Sequence, residues 1–194
     1  HRIKLERVFL MNTRNLQCPW HNVDPARVTP SSFVAIVEIP KGGKNKYELD
    51  KETGLLRLDR VLYTSTHYPA NYGMIPLTYA DDHDPLDVLI LCQEPLVPMC
   101  MVTCRPIGLM TMVDDNERDE KIIAVPVSDP AMEGYSELHH LPPHHTEEMQ
   151  HFFEVYKTLE GKKTVVEGFE GRKAAEQAIA RSLEAYKKEF GLEG

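Results

Sequence analysis

Two short stretches of this chain concentrate carboxylates. Residues 81–87 read DDHDPLD, with four acids and no base, and residues 114–120 read DDNERDE, with five acids and one base. Carboxylates brought close together repel and raise one another's pKa values unless a positive charge joins them. Hard divalent cations with oxygen ligands supply that charge, and Mg2+ in particular binds through a few carboxylates together with water and phosphate. Within DDHDPLD, Pro85 stiffens the turn, so Asp82, Asp84 and Asp87 can project from a loop that enters the apolar strand VLIL. For one window alone, a solvated acidic loop is the ordinary explanation. Two windows flanking a strand-rich segment could meet at one rim and hold metals roughly 3.5–4 Å apart, the spacing that activates water and clamps a phosphoryl group. An EF-hand does not fit. Counted from Asp82, the sixth position is Asp87 rather than glycine and the twelfth is Gln93; counted from Asp115, they are Glu120 and Pro126.

Chemistry on phosphate also needs cationic and phenolic groups for the phosphate oxygens. Lys46, Arg60, Lys121 and the adjacent Tyr156–Lys157 are the candidates. Each alone reads more simply as a surface group; their joint occurrence with the acidic windows favours the site reading.

The charge balance sharpens the same point. The chain has 194 residues, 30 acids, 22 bases and a formal net charge of −8. Outside the two windows 21 acids face 21 bases, so the whole excess sits in 14 residues and the other 180 are neutral. A solvating or disordered acidic protein would spread its excess, and the overall basic footprint of a nucleic-acid binder is missing. The sequence shows no 18-residue apolar run and no charged-then-apolar leader, so neither a membrane span nor a secretory signal is expected. The first residue is His1 rather than methionine, which points to a fragment or a processed form. Cys18, Cys92, Cys100 and Cys104 form no CxxC pair and no zinc-finger spacing, and read as reduced thiols in an intracellular compartment.

One domain of this length can bury its own core. Residues 1–31 read as an N-terminal arm, or a short strand plus loop, punctuated by Pro19, Pro25 and Pro30. FVAIVEIP (33–40) reads as a strand stopped by Pro40, and residues 46–63 as a hairpin turning near Gly54. Further strands are expected at Val88–Cys92, Met101–Met112 and Ile122–Val127, with no helical period interrupting 33–127. The HHLPPHH stretch reads as a surface loop rather than a zinc or nickel site. Thr146 then offers an N-cap to a helix with Met149, Phe152, Phe153, Tyr156 and Leu159 on one stripe. A short strand (Thr164–Phe169) leads to a last helix over Arg172–Phe190, with Gly191 as its C-cap. Short strands followed by two helices over 146–190 predict an α+β domain built on a small closed or partly closed barrel.

Several blocks together resemble the family I soluble inorganic pyrophosphatases: DHDPLD at 82–87, VEIPKG at 37–42, KYELDKETG at 46–54, LDR at 58–60, YPANYG at 68–73 and HFFEVYK at 151–157. PWH at 19–21 resembles the eukaryotic branch, and the blocks span roughly residues 19–190. The resemblance implies an α+β fold: a five-stranded OB-type β-barrel with flanking helices, two of them C-terminal. It implies Mg2+-dependent hydrolysis of pyrophosphate to two phosphates, by in-line attack of water without a covalent intermediate. Mn2+ or Zn2+ are the expected substitutes for Mg2+. Carried over, Asp82, Asp87 and Asp119 hold the tightest metal, Asp87 also touches a second, and Asp114, Asp119 and Glu38 hold further ions. Asp84 is the general base. Lys46, Arg60, Lys121, Tyr156 and Lys157 hold phosphate, while Glu48 and Tyr72 take less direct places in the site. No nucleic-acid or membrane partner is implied, but a homo-oligomer is, in the cytoplasm or in a vacuolar, acidocalcisome-like compartment. Two positions depart from the family pattern: Asp115 stands where glutamate is common, and Arg118, expected to point outward, sets a positive charge between presumed ligands. Two rivals remain: an OB-type module for single-stranded nucleic acid, which needs a basic groove with stacked aromatics, and a non-catalytic cation-binding domain.

Overall fold

In the computed structural model, which describes residues 17–191, strand β1 (Phe33–Ile39) is buried along its whole length. Its apolar run, broken only by Glu38, rather than an alternating one, is what burial on both faces demands. Pro40 and a left-handed Gly42 turn the chain into the expected hairpin, β2 (Asn45–Leu49) and β3 (Leu56–Val61), which forms a two-stranded sheet of its own. The remaining strands are β4 (Asn71–Met74), β5 (Asp87–Ile90), β6 (Met101–Asp114), β7 (Glu117–Pro126) and β8 (Thr164–Gly171). Their order is β1-β4-β5-β7-β6-β8, and β1 also pairs with β6. Five strands therefore close into a ring and β8 is added outside it, the α+β barrel architecture that the sequence implies.

Closure depends on two local features. Strand β6 is long enough to hold β1 along Met101–Cys104 and β8 along Gly108–Asp114, with an irregularity at Pro106–Gly108 on its β7 side. A proline without an N–H to donate belongs at such a break. On the other edge of β1, a Cβ on Gly73 of β4 would lie 2.0 Å from the Ile36 carbonyl oxygen, so only glycine lets β4 close on β1.

Two helices seal two apolar clusters. Helix α2 (Arg172–Phe190) packs Ala175, Ala178, Ile179 and Tyr186 with β1 residues, Cys18 and Trp20. Helix α1 (His144–Val155) lays Met149, Phe152 and Phe153 into the other cluster, with Tyr156 just past its end. Helix α2 ends on Gly191 at φ +69°, as expected.

Five expectations change. The apolar stripe of α1 does not reach Leu159, which lies exposed on a 3-10 turn after the helix has ended at Val155. Thr146 is not the N-cap of α1: the helix starts at His144 behind Pro143, whose fixed φ already suits a helix start, and the Thr146 hydroxyl donates to the Pro143 carbonyl at 2.9 Å. The second acidic window is a hairpin rather than a loop, because β6 runs to Asp114 and β7 starts at Glu117 around Asp115–Asn116. Both turn residues have positive φ, the signature of a tight two-residue turn. Strand β8 continues two residues past Phe169 and runs directly into α2. Of the expected arm, residues 1–16 lie outside the described residues. Residues 17–31 carry a single 3-10 turn and bury Cys18, Trp20, Val23 and Val28, so this part belongs to the core. Among the described residues no helix is long and apolar enough to cross a membrane, and all four cysteines are free.

Candidate active site

One end of the barrel gathers residues from nearly every element. Glu38 comes from β1, Lys46 and Glu48 from β2, Tyr72 from β4, and Asp82 and Asp84 from the loop before β5. Asp87 opens β5, Asp114 ends β6, Asp119 and Lys121 lie on β7, and Tyr156–Lys157 follow α1. These twelve line one cleft of about 370 Å3, together with Tyr47, Asp50, Lys51 and Arg57. Arg60 alone of the thirteen expected residues lies outside its walls. It is the cross-strand partner of Lys46 and pairs with Asp59 and, at 2.8 Å, with Glu160. Asp59 also lies 3.6 Å from Lys46, so Arg60 reaches the cleft through that carboxylate.

At the base of the cleft lies Lys121, 2% exposed. Its ammonium donates to Asp87 Oδ2 at 2.7 Å, Asp119 Oδ2 at 2.9 Å and the Tyr72 hydroxyl at 3.2 Å. The Tyr72 hydroxyl in turn donates to Asp87. Burial alone would lower the pKa of Lys121, but Asp119 and Asp87 outweigh it and hold the ammonium well above its ordinary value. Burial, reinforced by Asp87, also raises the Tyr72 phenol, which therefore acts as a neutral donor.

The upper wall carries further pairs. Lys157 binds Asp114, Lys46 binds Glu48, and Lys51 binds Asp84. Arg57 approaches Glu48 at 3.5 Å. Glu38 accepts the Leu49 N–H at 2.8 Å, yet burial and then the nearby Asp87 push it up to about 7. Asp82 is raised by burial and by Asp87, and Asp119 by burial and by Asp87 and Asp82 despite Lys121. Burial is the main cause of each shift, and the neighbouring carboxylates add to it.

The donor set suits a hard divalent cation, since it is all oxygen and carries excess negative charge. Eight carboxylates and five cationic side chains line the cleft, and the Asp114 Oδ1 atom is buried without a hydrogen-bond partner. Among the described residues no three potential ligands stand together as a ready-made metal cage, and Lys121 occupies the ground between Asp87 and Asp119.

The two departures from the family pattern have local explanations. Asp115 sits at φ +48°, a left-handed turn position that aspartate tolerates better than glutamate, and it pairs with Lys162 at 3.0 Å. Arg118 points outward toward Glu120 at 3.5 Å. Sequence reasoning overlooked Lys51, Arg57 and Asp59. The signal was present, since Lys51 falls inside the KYELDKETG block and Asp59 inside LDR.

A family model described as inorganic pyrophosphatase matches residues 35–187. Soluble inorganic pyrophosphatase 2 of Chlamydomonas reinhardtii is 48% identical over 172 residues, 89% of this chain and 90% of that protein. Soluble inorganic pyrophosphatase 1 of Arabidopsis thaliana is 48% identical over 168 residues, 87% of this chain and 79% of that protein. Among solved structures, the Thermus thermophilus inorganic pyrophosphatase, 40% identical, superposes with a TM-score of 0.79 over 81% of this chain and 92% of that one. The Coxiella burnetii inorganic pyrophosphatase, also 40% identical, gives 0.82 over 85% and 100%. With a shared fold and a family match whose span takes in every cleft residue, the chain belongs to the inorganic pyrophosphatase family, as a soluble, eukaryotic-type inorganic diphosphatase.

Proposed function

We propose that the chain hydrolyses inorganic pyrophosphate to two phosphates in this cleft, with Mg2+ as cofactor and Mn2+ or Zn2+ as substitutes. The observation that carries the reading is the cleft's charge: eight carboxylates against five cationic side chains in one wall set. A compact, highly anionic substrate cannot approach such a surface on Coulombic grounds unless cations accompany it. The same excess disfavours the nucleic-acid reading, which needs a basic groove.

Asp82, Asp87 and Asp119 would hold the tightest metal, and Asp114 and Glu38 further ions. Bound metal supplies charge neutralisation and a water whose pKa is lowered toward neutrality. The chain's own groups do the rest. Lys121 and the Tyr72 hydroxyl fix Asp87 and Asp119 in place. Lys46, Lys157 and the Tyr156 hydroxyl line the cleft where phosphate oxygens must rest, with Glu48 and the Arg60–Asp59 pair setting Lys46. A carboxylate oxygen of Asp84 takes the proton from the attacking water. As the new P–O bond forms, the bridging P–O bond breaks, and the second phosphate leaves without any enzyme-bound intermediate. Four free thiols suit a reducing intracellular compartment, and we place the enzyme in the cytoplasm or an acidocalcisome-like vacuole, as a homo-oligomer.

Phosphate release from pyrophosphate tests the reading, measured with Mg2+, with a chelator and with Asp84→Asn. Release that requires metal and falls roughly a hundredfold or more in the variant supports it. No release with Mg2+ sinks it, and full activity in Asp84→Asn removes Asp84 as the base.

A further inference from the structure

The β2–β3 turn, the acidic loop and the segment that opens the described chain all meet at one indole. Trp20 is buried, and its Nε1–H donates to the Thr78 carbonyl at 2.8 Å while its own carbonyl accepts the Leu77 N–H at 3.0 Å. The Thr78 hydroxyl accepts the Leu86 N–H at 2.9 Å, so one residue ties both ends of the acidic loop. Between those ends, Ala80 donates to the Asp84 carbonyl at 2.8 Å and the Asp84 N–H to Asp82 Oδ1 at 3.1 Å. The hairpin turn presses on the same segment, because a Cβ on Gly54 would lie 3.0 Å from the Gln17 carbonyl oxygen and 3.3 Å from Pro19 Cδ.

Lys51 joins these parts. Its ammonium lies 5.3 Å from the centroid of the Trp20 ring and pairs with Asp84 Oδ1. A pair between two half-exposed side chains is ordinarily loose and adds little. Here the aromatic face restrains the ammonium from a second direction. The indole is itself immobilised by its hydrogen bond to Thr78 and by His21 and Phe190, with ring centroids at 4.6 and 5.3 Å.

We propose that Lys51, held over the Trp20 indole, is a positioning residue for Asp84 that decides which carboxylate oxygen meets the attacking water. The proposal rests on the reading of Asp84 as proton acceptor. With Oδ1 engaged by Lys51, Oδ2 takes the proton, and the carboxylate does not have to be oriented anew in each turnover.

The test uses the whole chain with Mg2+ and pyrophosphate. Lys51→Met is expected to lower kcat by roughly ten- to a hundredfold while KM moves by less than about twofold. Lys51→Arg, which keeps the charge and the ring contact, restores most of the loss. In the Asp84→Asn background Lys51→Met costs little further, as expected for residues that act as one unit. Trp20→Leu lowers kcat in the same direction, and Trp20→Phe, which keeps a smaller aromatic face, lowers it less. An unchanged kcat in Lys51→Met overturns the proposal, and so does a rise in KM at constant kcat, which would make Lys51 a substrate-binding cation. Inactivity of the unsubstituted enzyme, or full activity of Asp84→Asn, overturns the functional reading beneath it instead.

Discussion

Asp87 and Lys121 are register partners in the parallel pairing of β5 with β7, and their side chains meet at 2.7 Å. Backbone hydrogen bonds on either side therefore set the distance between a carboxylate and the buried cation that holds it. This pair inherits its accuracy from the ladder rather than from a loop.

Removing that cation should damage both stability and chemistry. Lys121→Met leaves Asp87 and Asp119 without their shared partner, and breaking a buried pair from one side costs about 3–5 kcal/mol. Urea unfolding in chelator should show a loss of that order, and phosphate release should fall roughly a hundredfold or more. Wild-type unfolding with normal turnover would remove Lys121 from the machinery.

Glu38 gives a pH signature in the metal-free protein. Below the ordinary carboxylate range Glu38 is protonated in both folded and unfolded chains, and nothing is lost. Above about 4.5 the unfolded chain ionises while the folded one resists until about 7. Stability therefore declines across that window and the penalty is constant above it. At about 1.4 kcal/mol per unit the full penalty is roughly 3 kcal/mol. Glu38→Gln, measured by urea unfolding in chelator, should match wild type near pH 4, gain on it through the window and keep its advantage at pH 8. An advantage that shrinks with rising pH would contradict this origin.

Gly73→Ala should be among the most damaging single-atom additions in the chain. The new Cβ meets a carbonyl oxygen of β1 rather than a flexible side chain, so β4 must move away from its partner. A loss of about 3 kcal/mol or more is expected, visible as a lowered urea midpoint. The same change at Gly134, which has open space around it, should be close to neutral.

Metal should stabilise the fold by relieving the crowding of Asp82, Asp87 and Asp119. At a hundredfold excess over Kd, binding to the native state adds about 2.7 kcal/mol, which for a chain of this size is several degrees of Tm. A melting curve indifferent to millimolar Mg2+ and to chelator would argue against cation binding here.

Much of this was legible in the sequence because the signals were local. The DHDPLD run, the hairpin around Gly54 and the helix ending at Gly191 each carry their geometry in adjacent residues. The helix start at His144 was misplaced because Thr146 has the chemistry of a cap while Pro143 has the required backbone angle, and the backbone angle prevailed. The hairpin at Asp115–Asn116 was hidden because its acids invited a metal-ligand reading and its charged residues carry no apolar pattern of a strand, so the pairing shows only once β6 lies alongside. Lys51 went unremarked because its meaning lies in Trp20 and Asp84, 31 and 33 positions away.

The closed ring has one further consequence. In the main sheet β8 is the strand at the open margin. It reads TVVEGFEG, and its exposed Glu167 and Glu170 are followed at once by the turn into α2. Repeated charge and glycine make a poor template for a foreign strand. The molecule thus discourages sheet propagation at the margin where its barrel stops recruiting strands, and a crowded solution of folded chains should resist fibril growth from that side.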